Sequence, residues 1–398
     1  MLQASFVVLV LVGFVFVYLI SPVSTTPHWG LADTLDSLLL VKVSLLFSIL
    51  GTAFLIYDRV YVQGIDFSGG IAVAREAWRK EGEARDGQVS SVFSVLGYLF
   101  GSGYFVSAIL LIRNKFSITQ NSKFLLLTCV FVLLMVNSLI AGGRSNVLLL
   151  SVVVLGAMVS VRGWRLRLYF KNKFVRWMLF VTIIVCAVYT IYIFYQRAEA
   201  SNLSMQEYLL SFLPFLGLEM KDPAGEISNE NGLSSVGSAL LLTSSYLTHS
   251  FSTTAAIVDH GAGDKTIVFL HIMNIFHKLG LADQPNSDWF LSGRFTSLPG
   301  GLWYQYGWVG FSLGGFFIGI CGGVARFLYI IYPQRIIPLM LFISAYAVLI
   351  LSPLLSALDF MSFPFVILSF FQVAALKLII VFMRTIAPLQ RDHCPKLV

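Results

Sequence analysis

Apolar residues run along this chain in long blocks, not in the short alternations of a surface strand or the one-sided stripe of a soluble helix. Nine blocks stand out: residues 2–20, 38–57, 89–112, 124–141, 145–161, 177–196, 303–325, 336–352 and 361–383. A bilayer core about 30 Å thick takes roughly 20 residues of helix, and most of the blocks reach that length. Backbone polar groups in lipid must be satisfied within the segment, so each block is predicted to be a helix. A membrane barrel would read instead as alternating segments of about ten residues. Prolines mark several boundaries, among them Pro22, Pro27, Pro333 and Pro353. The expectation is an all-α, polytopic helical bundle, with residues 1–398 forming one integral-membrane domain. Nine spans are read, within a range of nine to eleven. No internal repeat is visible, so the inverted halves of many transporters are not evident.

Two polar stretches interrupt the pattern. Segment 58–88 contains GGIAVAREAWRKEGEAR, where Ile71, Ala74 and Trp78 recur at helical spacing and Arg75, Arg79 and Glu83 fall on other faces. It reads as an amphipathic helix in the interface, with Trp78 at headgroup level. Segment 197–300 is the one long loop. Within it, helices are predicted over 203–218, 236–257 and 267–281, with an exposed Gly/Asn/Ser/Glu-rich stretch at 222–235. The 236–257 helix is expected to pack on the bundle at the membrane face and not to cross it.

Charge gives the topology. Only 12% of residues are charged against 57% hydrophobic, far from the quarter typical of soluble domains. Segments 113–123, 162–176, 326–335 and the tail after 383 together hold 14 basic residues and one acid, Asp392. Nine spans put all four on one side, assigned as cytoplasmic by the positive-inside rule. The long loop falls on the other side with net charge −5, although the whole chain is +7. It holds ten acids, five bases and four histidines. Segment 58–88 falls on the same side, with five bases offset by six acids. The basic residues are split among short loops without an aromatic-interleaved patch, which argues against nucleic acid. Residues 2–20 lack a positive n-region and read as a span, not a cleavable signal. Cys129, Cys186 and Cys321 lie in spans and Cys394 in the tail, so the long loop carries no disulfide framework or thiolate metal site.

Candidate chemistry is sparse. Arg144 lies in AGGRSN between two spans, where a guanidinium beside a helix N-terminus suits phosphate oxygens. Arg294 lies in SGRFTSLPGGLWYQYGWVG, where the loop re-enters the membrane among Trp303, Tyr304, Tyr306 and Trp308. Each arginine reads equally well as an interfacial, snorkelling side chain. His249 lies within the 236–257 helix and His260 just beyond it, and His271 and His277 lie further on; each alone is more often a packed or surface histidine. No HExxH, Walker or GxSxG signature occurs.

Four pieces, in this order, resemble a known family: VAREAWR before a span, GGRSNVLLL joining two spans, SALLLTSSYLTHSFSTTAAIVDHG in the long loop, and TSLPGGLWYQYGWVGFSLGGFFIG at its re-entry. Over about residues 70–325 the chain resembles the O-antigen polymerases of the Wzy type, the oligosaccharide repeat-unit polymerases. The resemblance implies a GT-C-like glycosyltransferase of the bacterial inner membrane, working at the periplasmic face, with 197–300 as a large periplasmic loop. Its substrates would be undecaprenyl-pyrophosphate-linked oligosaccharides, and its partners membrane lipid, a chain-length-regulating polysaccharide copolymerase and a flippase. Because the leaving group is already activated, neither nucleotide, metal nor other cofactor is required. Arg144 and Arg294 would stabilise the departing pyrophosphate, with Arg75 and Arg197 behind them. His249 or His260 would serve as general base, and Tyr246 and Tyr304 would hold sugars. Two rivals are an O-antigen ligase, which moves glycan to a lipid A core, and a glycolipid flippase or transporter.

Overall fold

The computed structural model describes residues 1–20, 34–85, 89–113, 119–140, 145–162, 173–218, 235–263, 265–286, 288–291, 296–333 and 335–391. Among these there is no strand, and 82% of the structure is helical. Among the described residues six helices are long and apolar enough to cross a membrane: Leu2–Ile20, Leu38–Val62, Val92–Arg113, Gln120–Ile140, Leu298–Ile331 and Ser362–Phe382. Ser145–Val161 and Ile336–Leu351 are apolar but shorter.

In chain order the helices are α1 (Leu2–Ile20), α2 (Thr34–Tyr57), α3 (Ile71–Ala84), α4 (Val92–Gly101), α5 (Gly103–Arg113), α6 (Gln120–Ile140), α7 (Ser145–Arg162) and α8 (Lys173–Ala200). Then come α9 (Met205–Phe215), α10 (Ser235–His260), α11 (Leu270–Lys278), α12 (Leu298–Ile331), α13 (Ile336–Leu351) and α14 (Ser362–Arg391). A π-helical turn, Asp58–Val62, extends α2, and a 3₁₀ turn, Ala357–Asp359, precedes α14.

α5 lies at the centre. Every residue from Gly103 to Leu111 is buried, as expected for a helix apolar all round that is enclosed by neighbours. α2, α6, α7 and α14 surround it. The block read as one span at 89–112 is two helices, broken at Ser102 between two glycines. α2 meets the break with small and hydroxylic residues. Ser44 Oγ donates to the Gly103 carbonyl at 2.8 Å and Ser48 Oγ to the Gly101 carbonyl at 2.6 Å. A Cβ at Gly51 would come within 2.3 Å of the Gly101 amide nitrogen. Hydroxyls on a neighbouring helix thus satisfy carbonyls near the break.

The block at 303–325 also differs from expectation. α12 starts earlier, at Leu298, and bends at Gly307 (φ 64, ψ −161). Its opening piece, which holds Gly300 and Gly301, is a buried helical turn capped by Ser297, whose side chain accepts from the Gly300 amide. These glycines permit close packing on Thr254 and Val268, not a loop turn.

Helix polarity gathers one set of ends together. α1 and α12 run parallel, Phe6 against Gly315 and Val17 against Gly323. The Leu298 amide bonds the Ser352 carbonyl, so α12 begins where α13 ends. α2 runs antiparallel to α4, with Leu55 against Gly97. Gly70, at φ 96, abuts Gln196 near the end of α8. Tyr329 Oη donates to the Ser160 carbonyl, so α7 finishes at the opposite end and Ser145 starts at this one. α3, α9, α10, α11 and the Ala357–Asp359 turn all cap this loop end of the bundle. The helices at 71–84, 205–215, 235–260 and 270–278 fall where periodicity predicts them.

Candidate functional site

The loop end is assembled from helices far apart in sequence. α3 begins at Gly70, whose positive φ and contact with Gln196 leave no room for a side chain. That lays α3 against α8. α9 begins with a capping box: Ser204 Oγ accepts from the Glu207 amide at 3.2 Å and the Glu207 carboxylate accepts from the Ser204 amide at 2.8 Å. α9 then packs on α8 and α10 around Phe194, Tyr208, Leu209 and Leu242.

This packing brings Arg75 of α3 into electrostatic range of Arg197 and Tyr189 of α8, Tyr208 of α9 and Tyr246 of α10. Burial and, after it, the Arg197 guanidinium hold the Arg75 pKa below the ordinary arginine range. Arg75 nevertheless keeps solvent-exposed surface. Each guanidinium raises the cost of the other's charge, and the planar fork of arginine suits oxyanions.

His249 is 1% exposed. Its Nδ1 lies 2.5 Å from the Tyr246 carbonyl and its ring 5.2 Å from the Tyr246 ring. With the proton on Nδ1, the basic lone pair is on Nε2. The same face of α10 continues in buried Ser250, Thr253 and Thr254, and Thr254 Oγ1 lies 2.7 Å from Ser297 Oγ at the start of α12. This hydroxyl stripe is legible in the run HSFSTT only once the buried face is known.

Four of the eight residues singled out from sequence therefore gather here: Arg75, Arg197, Tyr246 and His249. His260 does not join them. It lies eleven residues beyond His249, about 16 Å along the helix, so the two cannot serve one reacting atom. The exposed His260 ring stacks on Phe290 at 4.1 Å. Tyr304 is only 4% exposed and packs against Gly263, Trp289 and Phe290. Its place is structural, and it offers little surface to a sugar. Arg144 and Arg294 lie outside the described residues. Ile140 and Ser145 bracket the first, and Leu291 and Thr296 the second.

Sequence reading named His271 singly and did not assemble the second polar group at this end of the bundle. That group comprises Asp58 and Arg59 at the end of α2, His271 and Lys278 on α11, and Asp359 in the 3₁₀ turn. Asp58 is fully buried and its carboxylate accepts from Gln63, Ser90 and Ser91. Burial pushes the Asp359 carboxyl up to about 8, and the nearby Ser356 hydroxyl offsets this only in part. Burial, then Lys278, lowers the His271 pKa, while the Asp359 carbonyl favours the charged ring. The one cue in the sequence was the Asp–Arg pair directly after an apolar block. Among the described residues no group of three or more His, Cys, Asp or Glu side chains is placed to hold a metal ion.

Comparison of the chain with protein families, with curated proteins and with solved structures gives no match.

Proposed function

We propose that this chain is a membrane glycosyltransferase that joins undecaprenyl-pyrophosphate-linked oligosaccharide repeat units into O-antigen or a related surface polysaccharide. The observation that carries the reading is the meeting of Arg75 and Arg197, from two helices 122 positions apart in sequence, beside Tyr246 and the buried His249. In the reaction, an acceptor hydroxyl attacks the anomeric carbon of the donor glycan. The bond from that carbon to the pyrophosphate oxygen breaks, and charge builds on the leaving group. In this reading the two guanidiniums, carried on packed helices, stabilise that charge. On the same reading His249 accepts the hydroxyl proton, which requires the buried ring to be uncovered when substrate binds. Tyr246, alongside, supplies an aromatic face for a sugar ring. Arg144 and Arg294 belong to the same proposal as further cations for the pyrophosphate. In this reading the bundle spans the cytoplasmic membrane in a GT-C-like manner, the loop end faces the periplasm, and the basic end faces the cytoplasm.

The test is chain extension by the purified protein in nanodiscs, supplied with a lipid-linked repeat unit. A ladder of products is expected. Arg75→Ala and Arg197→Ala should each lower the rate about 100-fold, and His249→Ala about 100-fold or more. No ladder from folded wild-type protein overturns the proposal.

A further inference from the structure

The second polar group has a chemistry that the transferase reading does not use. Arg59 is 3% exposed. Its guanidinium carbon lies 3.6 Å from the centroid of the Trp78 ring, and Nη2 donates to Tyr98 Oη at 3.1 Å. Nε and Nη1 are buried and meet no hydrogen-bond acceptor among the described residues. A buried donor left without a partner destabilises the fold, and more so when it is charged. Asp58, the adjacent carboxylate, attracts Arg59 but is already held by Gln63, Ser90 and Ser91.

A second cation lies within electrostatic range of Arg59. Lys278, at the end of α11, has its pKa lowered by burial and then by the Arg59 guanidinium. Lys278 keeps exposed surface, whereas Arg59 is buried. Among the described residues no carboxylate lies within ion-pair distance of either. α11 rests on the Ala357–Asp359 turn, none of its residues is fully buried, and it is entered through Phe269 at φ 66, a costly conformation for a bulky side chain. α11 is thus lightly held, and Lys278 at its end brings a second cation into electrostatic range of Arg59.

We propose that Arg59 and Lys278, with Trp78 and Tyr98 as walls, form a phosphate-oxyanion site separate from Arg75 and Arg197. The oxygens lie between the ammonium and the guanidinium, accept from Nε and Nη1 once α11 shifts outward, and relieve the repulsion between the two cations. Arginine over an aromatic ring, with lysine as a mobile point charge, suits a phosphate group. The phosphate is a dianionic monoester on a lipid or free inorganic phosphate; the chemistry is common to both. The site stands whether or not the chain is a glycosyltransferase.

The experiment reads Lys278 directly. Full-length protein in nanodiscs of phosphatidylcholine is treated with an amine-acylating reagent, and Lys278 modification is followed by peptide mass spectrometry. Inorganic phosphate, or phosphatidic acid in the disc, is expected to slow acylation at Lys278 roughly fivefold or more. Protection by inorganic phosphate marks free phosphate as sufficient; protection by phosphatidic acid alone marks a lipid headgroup. Arg59→Gln should abolish protection. Because replacing a buried arginine risks the fold, Lys278→Gln gives a second arm: the phosphate concentration at half-maximal thermal stabilisation should rise about tenfold. Arg75→Ala, which is expected to stop glycan transfer, should leave protection intact. Unchanged acylation with both additives overturns the site. So does equal protection by phosphatidylglycerol, a diester that reports only surface charge.

Discussion

Asp359 shows how burial alone sets a residue's chemistry. Its carboxyl is pushed up to about 8, against about 3.9 for an unfolded aspartate. Below pH 4 both states are protonated, and the group costs the fold nothing. Between pH 4 and 8 the unfolded chain releases a proton that the folded chain keeps. Stability therefore falls as pH rises through that window, by at most roughly 1.4 kcal/mol per pH unit, and levels off above 8. Asp359→Asn removes the penalty. The variant should melt at a higher temperature than the parent at pH 8, with the difference vanishing near pH 4, in detergent thermal-shift measurements at both values. An equal shift at both pH values would assign the effect to packing. Residue chemistry was partly legible in the sequence. Arg75 and Arg197 were visible as cations near helix ends, and Tyr246 and His249 as polar positions within an apolar helix. Their meeting was not, because it depends on how α3, α8, α9 and α10 pack. Arg59 and Lys278 were passed over for the same reason: neither belongs to a motif, and their proximity is purely tertiary.

At the scale of elements, periodicity recovered the helices and misjudged their joints. An apolar block reports length and burial but not a break that neighbouring hydroxyls repair. So the α4–α5 junction at Ser102 and the bend at Gly307 were hidden inside blocks that read as continuous. The closest helix pair was also written in the sequence, as glycines at fourfold spacing. Gly315, Gly319 and Gly323 line one face of α12 against Phe6, Val10, Phe14 and Val17 of α1. Without a hydrophobic driving force in lipid, such small residues let backbones approach and gain dispersion contact. A Cβ on Gly319 would lie 2.1 Å from the Val10 carbonyl oxygen, and one on Gly13 an equal 2.1 Å from that of Phe316. Backbone cannot yield as a side-chain tip can. Gly319→Leu should therefore push α1 off α12 at a cost of about 2–3 kcal/mol, seen as a lower melting temperature and lost disulfide crosslinking between cysteines placed at 14 and 323. Gly82→Ala, on exposed α3 with nothing within 4 Å, is the contrasting case. It should leave the fold intact or stabilise it by up to about 1 kcal/mol.

The whole molecule has two ends of different character, and the proposed function depends on which compartment each meets. Arg75, Arg197, His249, Arg59 and Lys278 all belong to the end where α12 begins and α13 finishes. The other end holds Arg113, Lys123, Arg326 and Arg335. A periplasmic polymerase needs the first group outside and the second inside. Single cysteines at exposed positions, in a background with the native cysteines replaced by serine, report this directly. Ala262→Cys marks the loop end and Asn121→Cys the basic end. A membrane-impermeant maleimide applied to spheroplasts should modify Ala262→Cys at once and Asn121→Cys only after the membrane is permeabilised. The reverse pattern would place the arginines in the cytoplasm, where no flipped, lipid-linked repeat unit is available to them. Given the expected orientation, the product left behind by a deletion separates the two acceptor chemistries. A missing polymerase leaves lipid A core bearing a single repeat unit, because ligation of one unit still proceeds. A missing ligase leaves core with no glycan, while polymer accumulates on the carrier lipid. On a polysaccharide gel the expected outcome is the single-unit band, restored to a full ladder by the wild-type gene and not by Arg75→Ala at equal membrane abundance. A ladder that survives deletion would detach the Arg75–Arg197 pair from glycan assembly altogether.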